Sequence, residues 1–254
     1  LENSDIIYDS SKNQAGFRMS RLLKNTIVIC AALLIAITLC ARPVSTRVLF
    51  IGNSYTCFNE GIGGVLDGLA PGNESTQIAP GGYSLEMHWN DGTARKAMRP
   101  GKFKYVLLQE QSQNPIFSPA KFREFCAKFD AEIKKNGAET VLLMTWERPD
   151  SIAAGAGATT ANLEKAFNAI GRELGIKVAP VGLAFERSLK NRPDIKLITG
   201  PDGHPTAYGT YLAACVIYAT IFKKSPAGNP YSGGNISADI RAHLQLTAAK
   251  TLGY

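Results

Sequence analysis

Histidine is scarce in this chain. There are three in 254 residues, His88, His204 and His243. Cysteine is scarce too: five, none in a Cys-x-x-Cys spacing. These counts exclude the common zinc frameworks and a fold built on disulfides. Three cysteines (Cys57, Cys126 and Cys215) lie beyond residue 42. An oxidising compartment would permit one bridge among them, and three free thiols fit equally well. Clustered charge is also missing. The formal net charge is +7, yet lysine and arginine are scattered, and no stretch interleaves them with aromatics. That excludes a nucleic-acid groove and leaves only a generic attraction to anionic cell-surface polymers. There is no internal repeat. The apolar run at 27–41 (IVICAALLIAITLCA) is 15 residues long, short of the roughly 20 that a membrane-spanning helix needs.

The N-terminal segment nevertheless has an address-like order. Met19, basic Arg21 and Lys24, then the apolar run, read as a secretory signal peptide or an uncleaved anchor over 19–41. Residues 1–18 are polar and patternless, and are expected to be an upstream extension with Met19 as the true start. Ala41 suits a cleavage site. Cys40 raises lipidation, against which stands the bulk of Leu39 before it. Export to the periplasm or the outside follows, with any membrane attachment confined to this segment.

The remainder, 42–254, is expected to be a single domain. The chain is 45% apolar and 19% charged, enough for a sizeable core. Short apolar runs predict strands at 47–52, 75–79, 104–109, 140–145 and 176–181. Amphipathic spacing predicts helices at 119–136, 160–174, 206–222 and about 237–250, with a Gly/Ala-rich loop at 152–158. Strands alternating with helices give the α/β class: a three-layer α/β/α sandwich on a flavodoxin-like, doubly wound, five-stranded parallel sheet. Ligands bind such sheets beyond the carboxyl ends of the strands.

Residues 47–56, RVLFIGNSYT, place Ser54 at that edge. A serine hydroxyl needs a base and oxyanion donors before it can attack a carbonyl. Of the histidines, His243 sits inside a predicted helix and reads as a packing or surface residue. His88 follows a glycine pair in GGYSLEMHW. His204 lies in GPDGHPTAYGTYLAA, before a helix and beside Asp202, which suits a base with an orienting carboxylate. Each signal also has a plainer reading. Gly-Asn-Ser and Asp-Gly are ordinary turn sequences, and His204 could cap a helix. Trp89 and Trp146 could stack on sugars or pack in the core. Arg148, in TWERPD, is a candidate substrate contact. Glu110 and Glu147 would be a carboxylate pair for glycoside cleavage only at a fixed separation.

Taken together, GNS after the first strand, PGGYSL after the second, LQEQS after the third and DGHP before a late helix resemble the SGNH (GDSL-type) hydrolase superfamily. The resemblance implies Ser54 as nucleophile, His204 as base and Asp202 as its orienting partner. It also implies an oxyanion hole from the N–H groups of Ser54 and Gly82 (Gly81 next), completed by the amide of Gln111 or Gln109. Two features depart from the family pattern. Asp202-Gly203-His204 is one residue shorter than Asp-x-x-His, so Asp194 or a Ser–His dyad stays open. Glutamine stands where the third block has asparagine. The implied activity is ester hydrolysis without metal or cofactor, on a small-molecule or glycan ester, with O-acetyl groups of carbohydrates foremost. The competing readings are a non-catalytic glycan-binding module on a decayed hydrolase scaffold, and a flavodoxin-like nucleotide binder. The last wants a phosphate-cradling loop that GNSYTCFNEG scarcely supplies.

Overall fold

The computed structural model describes residues 46–254. The expected extension, the signal or anchor segment and Cys40 lie outside the described residues. Five strands form one sheet: β1 (Thr46–Ile51), β2 (Asn73–Ile78), β3 (Tyr105–Leu108), β4 (Glu139–Leu143) and β5 (Lys177–Ala179). All pairings are parallel, in the order β2-β1-β3-β4-β5. This is the flavodoxin-like winding, whose order reverses next to β1 and leaves a crevice at its carboxyl end. The helices are α1 (Ser54–Cys57), α2 (Gly61–Leu69), α3 (Leu85–Asp91), α4 (Thr93–Ala97), α5 (Asn114–Phe117), α6 (Pro119–Lys135), α7 (Pro149–Ala153), α8 (Thr160–Leu174), α9 (Val181–Asn191), α10 (Ala207–Phe222) and α11 (Ala238–Thr251).

Strand side chains alternate between faces, so each apolar run feeds two cores. Val48, Phe50, Leu107, Val141 and Leu143 pack under α2, α9, α10 and α11. Leu49, Ile51, Val106, Leu108 and Leu142 face α6 and α8, through Phe122, Cys126, Phe129, Leu163 and Phe167. The predicted stripes of α6 and α8 are thus the buried ones. All five expected strands form, and the four expected helices start and stop within a residue or two of their predicted ends. The Gly/Ala-rich piece begins inside α7 and continues as a loop.

Seven helices were not expected, and the two longest of them, α2 and α9, show why. α2 (GIGGVLDGL) carries four glycines, which weaken helix propensity. The fold needs three of them small: a Cβ on Gly61 would run into the Gln77 side chain, one on Gly63 would meet Ser75 of β2 at 2.8 Å, and one on Gly68 would enter the ring of Tyr231, whereas Gly64 faces open space. α9 begins where the strand was expected to continue, because Pro180 ends β5 and Val181 opens the helix. Cys57, Cys126 and Cys215 are all free thiols, the first exposed and the others buried. No helix among the described residues is long and apolar enough to cross a membrane.

Candidate active site

β1 ends in Gly52-Asn53, and the chain then turns into the single turn of α1. Asn53 caps that turn: its Oδ1 accepts from Tyr55 N–H at 3.1 Å. Its Nδ2 donates to Tyr83 O at 2.9 Å, tying the turn after β1 to the turn after β2. Its N–H donates to Gln109 Oε1 at 2.9 Å, which ties it to the end of β3. Three strand ends therefore meet at one residue, and Ser54 stands next to it with its hydroxyl partly open.

The other half of the site comes from residues 199–205. His204 Nε2 lies 2.8 Å from Ser54 Oγ, and its Nδ1 lies 2.7 Å from Asp202 Oδ2. With Nδ1–H donating to the carboxylate, Nε2 carries the lone pair that accepts from the serine hydroxyl. The short spacing works because of the loop's shape. Gly203 N–H donates to Gly200 O, and Gly203 then takes φ +76°, which swings His204 back over Asp202. Four further bonds fix this loop. Tyr55 Oη donates to Asp202 O at 2.6 Å, Trp146 Nε1 to Gly203 O at 2.9 Å, Asp150 N–H to Pro201 O at 3.1 Å and Thr199 N–H to His204 O at 2.8 Å. Burial works to raise the pKa of Asp202, but its bond to His204 and the nearby charges of His204 and Arg148 hold the carboxyl below its ordinary range. Asp194 plays no part here, being bound to Arg192 on the surface.

Several expected residues are placed elsewhere. Trp146 is 3% exposed and stacks between Tyr55 (4.7 Å) and Phe185 (4.3 Å), so it is a wall behind the site and offers no open face to a sugar. Trp89 packs edge-on against Phe129 beneath Arg95, on the α6 side of the sheet. Gln109 is fully buried and cannot serve as an oxyanion donor. Its Oε1 accepts from Asn53 N–H and from Thr56 Oγ1 (2.9 Å each), and its Nε2 donates to Glu110 O. Gln111 fits better: its Oε1 is held by Gln113 N–H at 3.1 Å, so the amide nitrogen is the end left for a ligand. Gly82, with φ +74°, occupies the third position of a turn closed by Tyr83 N–H to Pro80 O at 3.3 Å. Arg148 reaches Ser112 Oγ at 3.4 Å while gripped by Asp150. Glu110 and Glu147 are each held by backbone and amide donors of their own. Glu110 is buried and accepts from Leu85 N–H, Gln111 N–H and Asn114 Nδ2; burial pushes its pKa up. Glu147 accepts from Thr160 N–H at the start of α8.

Tyr55 is a site residue that the sequence did not disclose. Burial raises its phenol far above the ordinary value, so it stays a donor. Tyr55→Phe keeps the stack on Trp146 and loses the hydroxyl's bond to Asp202 O and its contact with Ser112. The expected result is a fall of about three- to tenfold in kcat with little change in KM, as befits a group that positions the loop. Steady-state kinetics with a soluble acetate ester would check it.

His88 is fully buried, and its Nε2 donates to Gly52 O at 2.6 Å, just before the turn that carries Ser54. Its Nδ1 has no partner among the described residues. Burial lowers its pKa from 6.5, against a smaller opposing pull from the Gly52 carbonyl. The unfolded chain therefore takes up the proton first as pH falls. Stability supplied by neutral His88 is complete above about pH 6.5 and is lost as pH drops toward the depressed folded value. His88→Gln keeps an N–H for Gly52 O but does not titrate. Thermal melts at pH 7 and pH 5 are expected to show a steeper acid loss for the native protein than for this variant. His243 bonds Ser188 Oγ at 3.0 Å, a packing role.

No protein-family model matches the chain, and no curated protein matches it significantly. Solved structures do. A Slackia heliotrinireducens protein assigned to the SGNH hydrolases is 26% identical, with TM-score 0.62 over 70% of this chain and 99% of that one. A DUF4886-family protein from Bacteroides uniformis is 20% identical, with TM-score 0.67 over 82% and 95%. The acetyl xylan esterase AlAXEase is 15% identical, with TM-score 0.54 over 69% and 99%. With its sheet wound in this order and Ser54 at the end of the first strand, the chain has the fold of the SGNH (GDSL-type) hydrolases.

Proposed function

We propose that the protein is a serine esterase of SGNH type. The observation that carries the reading is the unbroken relay Ser54 Oγ–His204–Asp202 at 2.8 and 2.7 Å. His204 Nε2 takes the hydroxyl proton as Ser54 Oγ bonds to the ester carbonyl carbon. The charge that forms on the carbonyl oxygen is met by Ser54 N–H, one of the donors a helix start leaves unused, by Gly82 N–H and by the Gln111 amide. Each such donor contributes about 3–4 kcal/mol to the transition state. As the tetrahedral intermediate collapses, His204 returns the proton to the departing alkoxide. Water then repeats the sequence on the acyl-enzyme. Asp202 holds the imidazole in the required tautomer and balances its charge.

The finer reading is removal of short acyl groups, foremost O-acetyl, from carbohydrate outside the cell, with Arg148 as a substrate contact. It is supported by the basic-then-apolar order of residues 19–41 and by the shared fold of AlAXEase. The test is turnover of p-nitrophenyl acetate and labelling by a fluorophosphonate probe, in the native protein and in Ser54→Ala. Labelling at Ser54 supports the esterase; equal activity of the two proteins removes Ser54 as nucleophile. Saccharide binding with no label would favour the non-catalytic glycan-binding module.

A further inference from the structure

The esterase reading requires His204 to hand its proton to the leaving alkoxide. That oxygen must come within hydrogen-bond reach of Nε2, about 3 Å. Whatever alcohol it belongs to therefore passes beside the imidazole. The two tryptophans that could have received a sugar ring are not there: one is a buried wall, the other lies on the α6 side of the sheet. A different aromatic is. Phe58 closes α1, four residues after the nucleophile, and its ring centre lies 4.5 Å from that of His204 at a tilt of 36°. It is 40% exposed. Its position is enforced. Phe58 N–H donates to Ser54 O at 3.1 Å. The next two residues, Asn59 and Glu60, both take left-handed φ values (53° and 68°), rare for non-glycine residues. Asn59 Nδ2 is bound to Pro205 O at 2.8 Å, directly after His204. Backbone strain of this kind persists where surrounding contacts impose it, and it gathers at functional sites.

We infer that Phe58 is the platform for the leaving alcohol, and that it selects esters of ring alcohols, pyranosides above all, over esters of open-chain alcohols. The inference rests on the esterase reading and names the substrate class for the same site. The phenyl ring stands against the imidazole and keeps 40% of the residue exposed, apolar surface on which the C–H face of a ring can lie. A straight-chain alcohol covers little of that surface.

The test compares acetates that share the acyl group and differ in the alcohol: ethyl acetate, cyclohexyl acetate and a mono-O-acetylated methyl pyranoside. Phe58→Ala is expected to lower the ratio of kcat/KM for the ring esters over ethyl acetate by about three- to tenfold, the size an aromatic contact carries. Phe58→Trp is expected to keep or raise that ratio. An equal loss on all three esters, with fluorophosphonate labelling intact, would mean that Phe58 merely braces His204, and would overturn the platform alone. An unchanged ratio in Phe58→Ala would overturn it as well. A native protein that neither turns over any acetate nor takes the label would overturn the esterase reading and the platform with it.

Discussion

Ser54→Ala is expected to lower kcat/KM for acetate esters by a factor of about 10⁴ or more, and His204→Ala by a similar amount. Both act on one event, transfer of the hydroxyl proton across the 2.8 Å contact. Without the hydroxyl, the base has nothing to activate; without the base, the hydroxyl is a poor nucleophile. Their effects should therefore fail to add: the double variant is expected to be no worse than either single one. Alanine at position 54 keeps its N–H and leaves the Asn53 cap intact, so KM for residual turnover should change little. Asp202→Ala should cost less, about 10²–10⁴-fold, because Asp202 is 52% exposed and water can take its place beside Nδ1. Losses that multiply in the double variant would show that Ser54 and His204 do not act as a unit.

The fold was legible because its central strands are covered on both faces. VLFI, YVLL and TVLL are continuous apolar runs, and helices of seven or more residues separate them. The edge strand β2 (NESTQI) is half exposed and reads weakly, as edge strands do. α2 was hidden by the glycines that let it lie against β2, a demand of packing that propensity opposes. α9 carried a readable stripe at Val181, Ala184, Phe185 and Ser188. It was lost when the strand was carried past Pro180.

The candidate site was legible where residue type and chain order carry it. Ser54, Asp202 and His204 could be picked out because few side chains perform that chemistry and their segments fall at strand ends. The shortened Asp-x-His spacing looked like damage. Gly203 repairs it through a backbone conformation that no side-chain pattern announces. The aromatics stayed undecided for a related reason. A tryptophan at the active edge faces either solvent or core, and the choice for Trp146 is made by Tyr55 and Phe185, 91 residues before it and 39 after. Phe58 has the opposite history, an ordinary-looking residue turned onto His204 by the strained turn behind it.

Gln109 is where fold and site depend on one side chain, and Gln109→Leu is expected to damage both. Leucine has similar bulk but no polar atoms. The change strands Asn53 N–H, Thr56 Oγ1 and Glu110 O in a buried place where water does not replace Gln109 without rearrangement. Each stranded buried group costs about 1–3 kcal/mol, so a loss of about 3 kcal/mol or more is expected. For a domain of this size that lowers Tm by about 6–12 °C. Gln109→Glu makes a sharper comparison. It keeps an acceptor for Asn53 and Thr56 but sets a carboxylate against the Glu110 carbonyl and close to buried Glu110. Its stability should therefore fall further as pH rises and the carboxylate ionises, a dependence the leucine variant lacks. Activity separates structural from positional damage. At a temperature where Gln109→Leu is still folded, kcat should be reduced, because Asn53 no longer anchors the turn that aims Ser54 at His204. Melting curves across pH, paired with turnover at low temperature, decide it. A leucine variant as stable and as active as the native protein would remove Gln109 from the support of the nucleophile.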